Sequence, residues 1–244
     1  MKGILQRGCS FVVVFFLLIA TAPAAWAQYW VSFAQDTRYM ALGDSLTAGY
    51  AAHPATRGFA YRLYQGGVID NINQTLFCNV GVPGAMSEDV LNYQVPQVEL
   101  FFKDTGETYR KVVTLTVGGN DMLQVLEGED PADVLATMGS NLASILAILV
   151  NKFPDARIYV ANQYDPMLPV PGEAMLVAGL NQVVAGVVQL FPENAVLVDV
   201  FAAFEGRNGL LLIEKTGSEQ FQVHPTDAGY GVIADAFEDA IRGR

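Results

Sequence analysis

The chain has 244 residues, of which 52% are hydrophobic, and a formal net charge of −11. That acidity argues against a nucleic-acid partner, whose binding depends on neutralising phosphates, and against a surface that adheres to anionic lipid. It leaves small and neutral partners open.

Residues 1–27 read as a secretory signal rather than as part of the fold. Lys2 and Arg7 make a basic start, Phe11 to Ala20 is an unbroken apolar run, and Ala25-Trp26-Ala27 supplies a small-x-small cleavage pattern before Gln28. The apolar run is shorter than the roughly 20 residues a spanning helix needs, and Pro23 interrupts its extension, so cleavage is expected rather than a membrane anchor. The product would be periplasmic or secreted, with no stable membrane span. Its 217 residues, 28–244, fit one domain with a substantial core and carry a net charge of −13. Cys9 leaves with the signal, so Cys78 stands alone and no internal disulfide can form; its place in Leu76 to Val80 suits a small buried hydrophobe. Two histidines and one mature cysteine offer no visible metal-ligand cluster.

Strands are expected at Tyr39 to Leu42, Thr75 to Val80, Lys111 to Val117, Arg157 to Asn162 and Ala195 to Val200. "KVVTLTV" and "AVLVDV" are nearly continuous apolar runs, as strands covered on both faces require. Helices are expected at Ala132 to Phe153, opened by Asp130-Pro131, at Pro171 to Phe191, and at Thr226 to Arg242. The alternation implies parallel pairing, hence an α/β fold: a three-layer α/β/α sandwich with a central five-stranded parallel sheet. In such folds ligands bind beyond the carboxyl ends of the strands.

Four stretches could carry chemistry there. "GDSLTAGY" follows the first strand and would place Ser45 at a strand-to-helix turn, as a nucleophile or simply as an N-cap. "NVGVPGAMS" offers the unshielded N–H of Gly84, or an ordinary Pro-Gly turn. "TVGGNDM" offers the amide of Asn120, or a loop asparagine bonded to its own turn. "FQVHPTDAGY" supplies His224, a base suited to activating a hydroxyl near neutral pH. The other histidine, His53 in "AAHPATRG", reads as a surface loop residue.

"GDSLTAG", "GGND" and "HPTDAGY", in that order and spacing, resemble the GDSL, or SGNH, family of serine esterases and lipases over about Arg38 to Ile241. The resemblance implies a flavodoxin-like order of the five strands and an SGNH hydrolase domain over 28–244. It implies that Ser45 attacks the acyl carbon, that His224 takes its proton, and that the N–H groups of Ser45 and Gly84 and the side chain of Asn120 hold the oxyanion. It implies no cofactor and no metal. The substrate would be a small-molecule or lipid ester; thioesters, lysophospholipids and acetylated polysaccharide are alternatives, as is a non-catalytic exported binding protein. One position departs from the family. Three residues before His224, where an aspartate is usual, stands Phe221. Glu219, Asp165 or Asp199 could orient the imidazole instead, or a backbone carbonyl could.

Overall fold

β-branched and aromatic residues concentrate in five short runs, and each becomes a strand. The computed structural model describes residues 36–103, 108–167, 172–207, 211–212 and 223–243. The signal segment 1–27, Glu219 and Phe221 lie outside them. The strands are β1 (Thr37–Gly43), β2 (Thr75–Asn79), β3 (Arg110–Thr116), β4 (Arg157–Ala161) and β5 (Ala195–Val198), each within about two residues of its expected bounds. They form one all-parallel sheet in the order β2-β1-β3-β4-β5. Every residue of β1 is buried, and its side chains alternate between two cores. Met40 and Leu42 enter one; Tyr39 and Ala41 enter the other.

Nine α-helical segments and a 3-10 turn, Ala55–Arg57, lie in the connections and at the carboxyl end. The nine are α1 (Ser45–Ala48), α2 (Phe59–Gln65), α3 (Ser87–Asp89), α4 (Val95–Phe101), α5 (Gly119–Leu126), α6 (Pro131–Lys152), α7 (Glu173–Val188), α8 (Val200–Phe204) and α9 (Asp227–Arg242), counted among the described residues. A single π-turn, Val90–Gln94, joins α3 to α4. On one face of the sheet, Val90, Met138, Leu142, Val177 and Leu180 pack against Met40, Val113 and Leu115. On the other, Phe59 and Phe237 stack at 4.7 Å beside Tyr39 and Val112. The result is the expected three-layer sandwich.

Caps set the helix starts. The Asp130 carboxylate accepts from the N–H groups of Ala132 and Asp133 to open α6, and Thr226 accepts from Gly229 to open α9. α6 is long and apolar enough to cross a membrane, with mean hydropathy 1.7. Its apolar face, including Met138, Leu142 and Ile145, lies in the core.

The strand order reverses between β1 and β3: the chain leaves β1 for β2 on one side and returns to β3 on the other. Their carboxyl ends therefore flank the crevice where open α/β sheets bind ligands. The segments after β1 and β3 carry Ser45 and Asn120.

Candidate active site

The nucleophile turn depends on Gly43. Its φ is +139°, and a Cβ there would fall 2.2 Å from the Thr116 carbonyl oxygen of β3. Asp44 then caps α1, its Oδ1 accepting from the Leu46 N–H at 2.9 Å and from the Thr116 hydroxyl at 2.9 Å. Burial pushes the Asp44 carboxyl up to about 6. Ser45 follows as the first residue of α1, buried but lining a cleft with Asn120 and His224. Met122, Leu123 and Pro166 add apolar wall.

Across 179 residues of sequence, His224 Nε2 stands 2.9 Å from Ser45 Oγ. Burial lowers the pKa of this imidazole from its ordinary 6.5, so the neutral, proton-accepting form persists into more acidic solution. The loop that carries it is held from two sides. The hydroxyl of Tyr164, fully buried and stacked on Phe204, donates to the carbonyl of Val223. On the other side, Pro225 bridges to Leu212, and the Thr226 N–H and hydroxyl both donate to the Leu211 carbonyl. Asp227, at the start of α9, accepts from Arg57 Nη1 at 2.5 Å and from the His53 N–H at 3.1 Å, and the Arg57 hydrogen bond holds its carboxyl below the usual range. His53 is thus an exposed loop residue that docks α9 through its backbone, as its sequence context suggests.

Asn120 lies in the first turn of a helix, α5, directly after β3. One N–H of its amide donates to the Ala85 carbonyl at 2.9 Å, tying it to the Gly84 loop. Gly84 itself has φ +85° and nothing within 4 Å of where a Cβ would stand. It lines a separate hollow with Val82, Tyr93 and Gln94, and is not among the residues lining the Ser45 cleft. The structure therefore brings Ser45, Asn120 and His224 together, with Gly84 one residue beyond a direct link to Asn120.

Among the described residues, no carboxylate pairs with His224. Asp199 follows β5 and caps α8, accepting from the Ala202 N–H and from Asn162 Nδ2. Asp165 accepts from the Met167 N–H of its own turn, at 2.6 Å. Both do what a turn or cap aspartate ordinarily does.

Several further side chains support the site. Asp121, buried beside Asn120, accepts from the N–H of Ser87 at 3.0 Å and from its hydroxyl at 2.5 Å, while Asn141 donates to that hydroxyl oxygen. Burial raises the Asp121 pKa. Gln94, 2% exposed, satisfies both polar groups of Gly43: its Oε1 accepts from the Gly43 N–H at 2.7 Å and its Nε2 donates to the Gly43 carbonyl at 2.8 Å. That carbonyl also accepts from the Val82 N–H of the Gly84 loop. Tyr50 packs its ring against the His224 imidazole, centroids 4.6 Å apart and planes at 51°. Asp121 stands next to a singled-out residue, but no local pattern marks Gln94 or Tyr50.

A serine and a histidine in hydrogen-bond contact at the switch point of a flavodoxin-like sheet define a hydrolase scaffold of the nucleophilic-serine class. The model of the GDSL-like Lipase/Acylhydrolase family matches residues 41–232, and the chain belongs to that family of carboxylic ester hydrolases. It is 25% identical over 222 residues to the spore germination lipase LipC of Bacillus licheniformis, covering 85% of this chain and 97% of that one. Its fold is similar to phospholipase A1 from Streptomyces albidoflavus (TM-score 0.59, 22% identity, 83% of this chain and 98% of that one). It is equally similar to an acetylxylan esterase from Geobacillus stearothermophilus (TM-score 0.59, 18% identity, 86% and 96%).

Proposed function

We propose that this chain is an exported serine hydrolase that cleaves carboxylic esters through an acyl-enzyme on Ser45. The 2.9 Å contact between Ser45 Oγ and His224 Nε2 carries the proposal. A serine hydroxyl is a weak nucleophile until an adjacent base accepts its proton, and the lowered pKa of the half-buried His224 imidazole supports that role for it. Ser45 Oγ attacks the acyl carbon as its proton moves to Nε2. The ester C–O bond then breaks, and the departing alcohol takes that proton. Water, deprotonated by the same nitrogen, releases the acid and restores the serine.

The oxyanion falls to the Ser45 N–H, the Gly84 N–H and Asn120. Asn120 lines the same cleft as Ser45, and its bond to Ala85 keeps the Gly84 loop beside it. Each such donor contributes on the order of 10²–10³ in turnover. The relatives named above include a lipase, a phospholipase and a carbohydrate esterase, so the reaction is proposed with the alcohol unspecified. Export rests on residues 1–27, and the mature chain begins at Gln28. A mass measurement of the exported protein checks that boundary.

The decisive experiment is labelling with a fluorophosphonate, followed by peptide mapping. The wild-type chain takes the label on Ser45 and hydrolyses an activated ester. Ser45→Ala, with an unchanged circular dichroism spectrum, does neither. Turnover in Ser45→Ala equal to wild type would move the nucleophile elsewhere; absence of labelling and turnover in the wild type would leave a scaffold that only binds.

A further inference from the structure

We infer that Tyr50 is a positioning residue for the general base, its ring steadying the His224 imidazole and the positive charge that imidazole takes on during acyl transfer. The inference rests on the role proposed above for His224. It stands on geometry that is independent of whatever group meets the other ring nitrogen.

Tyr50 is half-exposed, yet its backbone is fixed from both sides of the site. Its N–H donates to the Ser45 carbonyl at 2.9 Å, and its own carbonyl accepts from the buried Tyr230 hydroxyl at 2.7 Å. The first anchor is the nucleophile itself. The second lies on α9, six residues beyond the base. The chain is forced into this path. Gly49 ends α1 with φ +72°, where a Cβ would meet the Ala55 carbonyl at 2.7 Å, and Ala51 holds φ +64°. A non-glycine residue in the left-handed region costs on the order of 1 kcal/mol, and such strain persists only where its surroundings impose it. The turn so held puts the Tyr50 ring against His224, centroids 4.6 Å apart.

An aromatic ring within about 6 Å of a cation stabilises it electrostatically. The neutral imidazole gains much less. Tyr50 thus favours the transient imidazolium and limits the ring's freedom to rotate away from Ser45 Oγ. Among the described residues, the titratable groups near His224 include Asp44 across the cleft, Tyr164 behind Val223, Tyr230 behind Tyr50, and Asp227 with its Arg57 partner. Burial pushes the Asp44 carboxyl up to about 6, and it lines the same cleft, so its contribution must be separated.

The chain has two histidines, so proton NMR of the imidazole Cε1–H gives two titration curves, and His53→Gln assigns them. The measurement is made in Asp44→Asn, where the buried carboxyl no longer titrates. Tyr50→Leu is expected to lower the His224 pKa by about half a unit, and Tyr50→Phe to leave it unchanged. In the wild-type background, Tyr50→Leu should lower kcat on a p-nitrophenyl ester by about two- to five-fold at unchanged KM and melting temperature. A His224 pKa that does not move in Tyr50→Leu overturns the inference. So does one that moves as far in Tyr50→Phe, which would assign the effect to the hydroxyl. A wild-type protein that neither hydrolyses nor labels defeats the esterase proposal instead, and the titration still decides whether Tyr50 acts on the imidazole.

Discussion

Replacing Gln94 by leucine should damage catalysis out of proportion to its distance from the chemistry. The glutamine amide is the acceptor for the Gly43 N–H and one of two donors to the Gly43 carbonyl, both in the buried interior. Leucine preserves most of the volume, so no large cavity opens. The Gly43 N–H is left without that acceptor, which costs about 1–3 kcal/mol. The carbonyl keeps the Val82 N–H, so losing its second donor costs only about 0.5–1.5 kcal/mol. Together these predict a loss of about 1.5–4.5 kcal/mol, a large share of the ~5–15 kcal/mol that stabilises a domain. Gly43 leads through Asp44 to Ser45, and a misplacement of about 1 Å can cost about 100-fold in rate, so kcat should fall by about ten- to a hundred-fold. Urea unfolding gives the first number from the midpoint at constant slope. Ester hydrolysis well below the melting temperature gives the second. Gln94→Glu, which keeps an acceptor for the N–H but sets a carboxylate oxygen against the carbonyl, should also lose stability. A Gln94→Leu variant within about 0.5 kcal/mol of wild type, at undiminished kcat, would refute the assignment.

Asn120→Ala should lower kcat by about 10²–10³ with little change in KM, because the amide serves an oxyanion that exists only during reaction; a defect confined to KM would contradict that role. The acid limb of kcat/KM should lie below pH 6.5. The active imidazole is neutral and burial lowers its pKa, so activity is retained as pH falls until that lower value is reached. The same shift makes the fold lose stability below pH 6.5, where the unfolded chain binds the proton more readily; a limb above 6.5 in Asp44→Asn would contradict the burial effect. Asp199→Asn should keep wild-type kcat, since an amide oxygen can still cap α8, and Asp165→Asn should behave likewise. Loss of turnover in either folded variant, or in Glu219→Gln, would identify an orienting carboxylate.

The sheet was legible because its central strands are buried on both faces, which leaves nearly continuous apolar runs such as Val112-Val113-Thr114-Leu115. Ser45 and His224 were legible because their neighbours are diagnostic and competing histidines few. The segment between β2 and β3 was not. Its π-turn inserts an extra residue at Val90–Gln94, and Pro96 follows in the first turn of α4, so the 3.6-residue periodicity never runs long enough to register. No helix was expected at α5, because Gly118-Gly119 hides its start: Gly118, at φ +105°, is the cap from which the helix begins. Gln94 and Tyr50 act on residues 51 and 174 positions away, a relation that only the fold establishes.

The wide separation of Ser45 from His224 also has a consequence for biosynthesis. Made from its amino end, the chain exposes the serine early and receives its proton acceptor 179 residues later. Until α9 seats against α2 and the Tyr50 turn, Ser45 is an ordinary alcohol. The growing polypeptide therefore lacks its proton acceptor until the end, a zymogen-like latency that follows from chain order alone.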